Sequence, residues 1–440
     1  MGKYYSNPIN RRLLMSKQAS ISKRVFRQFI GYIKRVYHFG SVVKGMDDDR
    51  RWKKVSSKNV FITLFFCIIL RWGSLRRAHM EVQEGRLDKF FLKDGRGRFS
   101  LNEIGYVAQR LSLHHIKKSV VRMVKKMRRN KVFLKGVIPG KIAVALDGRE
   151  TIKSYAVHCD ECLTRRVRKG EKDLVQYYHR SVIAQIVGCD VKPIIWIEQQ
   201  RHTEKGEEGE QSAARRTVRE IGRYYGKGFV GVYLVDALNF NEPFIREALN
   251  QGADVIGKLK ENHSRIIQEI EGLSKLVDPI VWYDEYGLPH KAWDIEEIDK
   301  SLALSYPLRG IKIWEIVRVE KEGKIQWCER VRYCGTTIPK SRATAKQINQ
   351  LLWQEWEVEN NGHRDQKSNW HLRHNFHHHP RAIEVIQWIM VMAFNLFWAF
   401  VKLNLKLYRI YGYTQQKVVD LLREGFPLFE RRGSSIWDTS

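Results

Sequence analysis

Two apolar runs that each close on an aspartate decide the reading of this chain: Ile142-Ala-Val-Ala-Leu-Asp147-Gly148 and Val230-Gly-Val-Tyr-Leu-Val-Asp236. Each is long enough for a buried strand and too short for a buried helix. Each then turns polar, so both aspartates are expected at strand ends, where α/β sheets gather their functional groups. Strand-like and helical stretches alternate around them. Strands are expected over 142–146, 191–197, 230–235 and 254–259, and helices over 212–225 and 242–251. That alternation predicts an α/β sheet with covered faces. Residues 280–338 differ, with short β-rich runs at 311–319 and 325–333 that read as an insertion.

A third acid comes late, in Trp356-Glu-Val-Glu359-Asn360-Asn-Gly-His-Arg364-Asp-Gln-Lys367. Ile348, Leu352, Glu355 or Trp356, and Glu359 recur at steps of three or four, which predicts Glu359 on the sheet-facing stripe of a helix. Glu355 shares that stripe and rivals it, whereas Glu357 points elsewhere.

The chain of 440 residues carries a net charge of +30, unevenly distributed. Residues 1–140 hold 33 Lys and Arg against 8 Asp and Glu; the other 300 hold 45 against 40. A local basic excess of this size points to nucleic acid, because Lys and Arg displace counterions from a phosphate backbone. Within it, Ser100-Leu-Asn-Glu103 is a capping-box signature for a helix to about residue 111. A basic helix should follow over 112–129, with Lys125, Lys126, Arg128 and Arg129 as candidate phosphate contacts. Two such helices suit a helix-turn-helix reader or a basic solvent face on a helical bundle.

Residues 61–70 are apolar but too few to span a bilayer. Residues 386–401 are longer but include Gln387 and Asn395, which fits a buried helix. The first residues lead into more basic ones and not into an apolar stretch, so no cleavable signal is expected. Six cysteines in a chain of this length make no disulfide framework and fit a reducing cytoplasm. His158-Cys159-x-x-Cys162 is a weak zinc signal, because a structural site needs four ligands; His179 or Cys189 could supply another. The histidines at 371, 374 and 377–379 read first as packing or phosphate contacts. Trp196, Trp353 and Trp356 are of a type more often core than base-stacking and are left unassigned.

An acid triad suits phosphodiester chemistry, which needs an activated oxygen nucleophile, a stabilised leaving oxygen and neutralised charge between them. Two Mg²⁺ or Mn²⁺ ions held by carboxylates meet all three needs. Two strand-end aspartates with a later helical glutamate is also how an RNase H-like sheet gathers its metal ligands.

The block Glu359-Asn360-Asn-Gly-His-Arg364-Asp-Gln-Lys367, followed by Trp370-His371-Leu-Arg-His374-Asn375-Phe376-His377-His378, resembles the C-terminal catalytic block of bacterial insertion-sequence DDE transposases. The similarity extends upstream through Ala145-Leu-Asp147-Gly148, His158-Cys159-Asp-Glu-Cys162, Glu210-x-x-Ala-Ala214, Asp236 and Lys258-Leu-Lys260-Glu-Asn262, covering roughly residues 140–402. The first 140 residues match no motif of that family.

The resemblance implies an RNase H-like catalytic domain over 139–402 with a β-rich insertion at about 263–340. A basic helical DNA-binding region over 1–138 would precede it, and a tail over 403–440 would follow. It implies that Asp147, Asp236 and Glu359 hold two Mg²⁺ or Mn²⁺ ions, and that DNA ends are hydrolysed and joined through their 3′-OH to target DNA. Double-stranded DNA is the expected partner, Lys367 the DNA-end contact with Arg364 in reserve, and Lys260 and Asn262 further DNA contacts or supports for Asp236. A homodimer pairing two ends is expected, in the bacterial cytoplasm at the nucleoid, with neither membrane nor small-molecule substrate. Relatives carry Tyr and Arg just before the glutamate, where this chain has Leu352 and Glu355. That departure leaves a decayed or domesticated transposase, binding DNA without cutting it, as an alternative. A repair or hybrid-cleaving nuclease is a third reading, which has no need of the basic arm.

Overall fold

The stretch from residue 8 to 129 forms helices in the computed structural model, and that from 143 to 336 forms strands with helices between them. The structure describes residues 8–94, 97–203, 206–298, 307–321, 324–430 and 436–437. Two compact units divide the chain: unit 1 takes residues 1–126, 152–177 and 366–440, and unit 2 takes 127–151 and 178–365.

In the N-terminal part the helices are α1 (Pro8–Tyr37), α2 (Phe39–Lys44), α3 (Ser57–Ile69), α4 (Leu75–Gln83), α5 (Leu101–Ala108) and α6 (Leu113–Arg129). The capping box forms as expected: Glu103 N donates to Ser100 Oγ at 3.2 Å, and Ser100 N donates to Glu103 Oε2 at 2.7 Å. The strands are β1 (Ala143–Ser154), β2 (Leu163–Lys169), β3 (Lys172–Ile186), β4 (Ile194–Gln199), β5 (His202–Thr203), β6 (Gly206–Glu207), β7 (Val232–Val235), β8 (Asp254–Leu259), β9 (Ile280–Tyr283), β10 (Pro289–Ile298), β11 (Leu308–Lys321) and β12 (Lys324–Thr336). Among and after them come α7 (Glu210–Tyr225), α8 (Glu242–Asn250), α9 (Ser264–Leu273), α10 (Ala345–Glu357), α11 (Asp365–Asn369), α12 (Pro380–Ala399), α13 (Lys406–Tyr411) and α14 (Gln415–Gly425).

Unit 1 is held by an aromatic core. Phe66 of α3 lies 6.3 Å from Phe26 of α1, 4.4 Å from Phe90 and 5.4 Å from Phe426, centroid to centroid. α14 docks on α1: Gly425 packs so closely on Ser22 and Phe26 that no Cβ fits there. Arg423 anchors the end of α14 by donating to the carbonyls of Leu70 and Arg71, both at 2.6 Å. α12 is apolar on every side and buried accordingly. The run Pro380–Asn404 is long and apolar enough to cross a membrane, but 89% of its most apolar window is buried inside the protein. Within the expected C-terminal tail, α14 thus packs into the same core as α1.

Unit 2 is built on a mixed sheet in the order β3-β1-β7-β8-β12-β11-β10-β9, with β4 paired to β3. β7 runs parallel to both β1 and β8. β4 is antiparallel to β3. Two expected strands, β7 and β8, and two expected helices, α7 and α8, appear within two residues of their anticipated bounds; β4 begins three residues late, and β1 runs eight residues past its expected end. Strand β12 of the β-rich stretch pairs antiparallel with β8, Tyr333 opposite Leu259 through Thr336 opposite Ile256, so β9–β12 extend the same sheet. A short helix, α9, precedes them. Asp147 does not end its strand, because β1 runs on to Ser154, with Arg149, Thr151 and Ile152 buried.

Replacing Phe66 with Ala removes a ring with four aromatic neighbours and should destabilise unit 1 by about 3–5 kcal/mol. Urea unfolding of the full chain, followed by tryptophan fluorescence, measures it; a shift below about 1 kcal/mol would contradict this account of the core.

Candidate active site

Parallel pairing of β1 with β7 sets Ala143 against Val232, Val144 against Tyr233 and Ala145 against Leu234. Two residues further along each chain stand Asp147 and Asp236, at matching positions on neighbouring backbones. Paired strands run about 4.8 Å apart. Alternation gives residues two apart the same face, so both carboxylates follow Ala145 and Leu234 to one side of the sheet.

The turn after β7 holds Asp236 in place. Asn239 donates to Asp236 Oδ1 twice, from its backbone N at 3.0 Å and from Nδ2 at 3.2 Å. Asn262 Nδ2 donates to the Ala237 carbonyl at 3.0 Å. Lys260 is exposed beside it.

Two glutamates and a histidine join the aspartates. Glu210 opens α7, accepting from Arg180 Nη2 at 2.6 Å and from Asn239 Nδ2 at 3.1 Å. Asn239 therefore bridges Asp236 and Glu210, and its own Oδ1 is buried without a partner. A Cβ on Gly148 would overlap the Glu210 carboxylate, so glycine at 148 is what lets α7 bring this acid up to β1. Glu355, on α10, forms a close ion pair with Lys258 of β8. His363 Nδ1 lies 3.4 Å from Asp147 Oδ2.

This crowding shows in Asp147, whose carboxyl is pushed up to about 7. Burial is the largest cause, followed by the negative charges of Glu210, Asp236 and Glu355; the Gly148 N–H works the other way. Four acids gathered around one point favour the neutral form of one of them unless a cation lies among them.

Glu359 is placed differently from the expectation. Ile348 and Leu352 are buried on α10, but α-helical geometry stops at Glu357 and residues Val358–Arg364 form a π-helix. The α periodicity therefore does not carry through to Glu359, which is exposed and makes no hydrogen bond or ion pair among the described residues. π-segments are rare and often mark functional positions. This one is pinned at both ends. Glu357 accepts from Gly188 N at 2.9 Å and pairs with Lys192 Nζ at 3.1 Å. Gly362 meets the Gln185 side chain where no Cβ fits.

The other expected DNA contacts are scattered. Arg364 is exposed at the end of the π-segment, and Lys367 lies half-buried on α11 in unit 1. Lys125 and Lys126 are half-buried on α6, whereas Arg128 and Arg129 are exposed. Arg128 also stacks its guanidinium over the Phe229 ring at 5.1 Å. Trp196 is buried, but Trp353 and Trp356 are exposed rather than core. The guanidinium groups of Arg330 and Arg332 each lie 4.7 Å from the Trp353 ring centroid.

Sequence reasoning gave no role to Glu210, Asn239, Arg180 or His363. Glu210 stood in a quoted motif, but its approach to Asp147 depends on how α7 packs, which no local pattern encodes. Changing Gly148 to Ala should displace Glu210 and cost about 1–3 kcal/mol. Adding Glu210→Ala should recover part of that loss, because the overlap disappears. Thermal unfolding of both variants checks it, and purely additive losses would contradict the contact.

No family model matches this chain, and no curated protein does. Among solved structures, a piggyBac transposase synaptic complex with hairpin DNA, determined by cryo-EM, is similar at a TM-score of 0.41 and 11% identity, over 92% of this chain and 79% of that one.

Proposed function

We propose that the chain is a DDE-type transposase that cuts and joins DNA with the help of divalent metal ions. The observation that carries this reading is the pairing of β1 and β7, which sets Asp147 and Asp236 side by side within a crowd of acids. The donor set fits a hard divalent cation: the clustered groups are mainly carboxylate oxygens, and a cation would relieve the repulsion that raises Asp147. Asp147 and Asp236 would hold Mg²⁺ or Mn²⁺ from the sheet. Glu359 would be the third ligand, because its carboxylate has no competing partner. Glu355 would first have to give up Lys258. When bound, such ions activate an oxygen nucleophile and stabilise the leaving oxygen.

The finer fold reading is an RNase H-like domain. It is supported by a central sheet in which β3 lies beside β1, β4 is antiparallel to β3, and β1, β7 and β8 run parallel. The role of DNA is supported by the basic first third of the chain, including the exposed Arg128 and Arg129. Around the acids, the residues of this chain divide the work. Asn239 and Asn262 fix the turn that carries Asp236, Arg180 neutralises Glu210, and His363 lies against Asp147.

The test is strand cleavage by the full chain, with Mg²⁺ or Mn²⁺, on a duplex carrying the inverted repeat that flanks the gene. Asp147→Ala and Asp236→Ala should each cut the rate by at least about 100-fold while DNA binding survives. Glu359→Ala should do the same. Cleavage by Glu359→Ala at the wild-type rate, with loss in Glu355→Ala, would transfer the third role to Glu355. A wild-type chain that binds the repeat but cuts nothing with either metal would make it a DNA-binding relic of such an enzyme.

A further inference from the structure

Away from the acidic cluster, unit 1 brings together two sulfurs and a ring nitrogen from segments far apart in the sequence. Cys159 Sγ and Cys162 Sγ are 3.7 Å apart, and His378 Nε2 lies 3.2 Å from Cys162 Sγ. The two cysteines sit on a tight turn in which Cys162 N donates to the Cys159 carbonyl at 3.0 Å, and Cys159 N points to Cys162 Sγ at 3.4 Å. Cys162 is 4% exposed. All six cysteines are thiols, so the pair is not a disulfide.

We propose that Cys159, Cys162 and His378 are ligands of a structural Zn²⁺ ion that ties the turn after β1 to the segment before α12.

The spacing carries the argument. A tetrahedral ion with Zn–S of about 2.3 Å and Zn–N of about 2.0 Å sets its ligand atoms roughly 3.6–3.8 Å apart. The two sulfurs already stand at that separation, and the imidazole has to withdraw by only a few tenths of an ångström. Thiolate and imidazole donors together select zinc over the hard cations that suit the acidic cluster. On binding, zinc displaces one proton from each thiol, and the neutral imidazole coordinates through Nε2.

A second observation points the same way. Asn375 Nδ2 faces His378 Nδ1 at 2.9 Å, while Asn375 Oδ1 is buried with no partner. Amide oxygen and nitrogen are interchangeable assignments. Turned over, Asn375 Oδ1 accepts from Nδ1–H, which fixes the tautomer that leaves Nε2 for a metal. The neighbouring histidines have other work: His377 Nε2 hydrogen-bonds Gln109 at 3.2 Å, and His371 packs against Gly73. A closed structural site takes a fourth donor.

The full chain, produced in zinc-supplemented medium and purified under reducing conditions, should carry about one zinc per molecule by mass spectrometry. Cys159→Ser with Cys162→Ser, and His378→Ala, should each reduce that to background, whereas Cys328→Ser should not. Cobalt exchanged into the wild-type chain should give a thiolate-to-metal charge-transfer band, which needs no variant to fold. Chelation should lower the unfolding temperature. A wild-type chain that takes up no zinc and shows no cobalt–thiolate band would overturn the proposal, as would undiminished zinc in the cysteine variant.

Discussion

The in-register parallel pairing of β1 with β7 is the constraint from which the candidate site follows. Parallel pairing gives two chain segments nearly ninety residues apart the same direction and the same phase, so an acid two residues past the last paired position on one falls beside its counterpart on the other. Every further element at the site then acts on that pair. α7 delivers Glu210 across Gly148, the Asn239 turn ties Asp236 to Glu210, and α10 with the π-segment brings up Glu355 and His363. The result concentrates negative charge that folding alone does not neutralise. Arg180 and Lys258 each pair with one glutamate, and the proposed metal ions would answer Asp147 and Asp236.

The same chain solves a different problem in unit 1. A strongly basic segment needs an apolar scaffold, and α1 finds one against Phe66 of α3, Phe400 just after α12 and Phe426 just after α14, drawn from both ends of the sequence. Its core is dense with phenylalanine, and its periphery is tied by Arg423. The proposed zinc ligands lie in this unit too, on a turn and a loop with little apolar surface of their own. Fastening such segments with a metal is a common solution where core burial is insufficient.

Much of the sheet was legible because its inner strands are largely buried and read as short, mainly apolar runs: 142–146, 230–235 and 254–259. The hairpin of β2 and β3 was not. Leu163-Thr-Arg-Arg-Val-Arg-Lys169 is largely exposed, and a solvated strand rich in arginine carries no apolar signal. The joining of β12 to β8 was hidden for another reason: it is a pairing across more than seventy residues, and composition says nothing about partners. At the site, Asp147 and Asp236 were readable from strand ends and motifs, although β1 continues past its aspartate. Glu359 was assigned by α-helical spacing, and that spacing fails where Val358–Arg364 adopts a π-helix. Glu210 and His363 reach Asp147 through packing and through that same irregularity, which no periodic rule anticipates.

Binding of Mn²⁺ to the full chain, followed by titration calorimetry or electron paramagnetic resonance, tests the central claim most directly, because it asks whether the acids gather to hold a cation. The account predicts saturable binding to the wild-type chain that is lost when Asp147 and Asp236 are both changed to Asn. Mn²⁺ binding of unchanged strength and stoichiometry in that doubly substituted chain would contradict it.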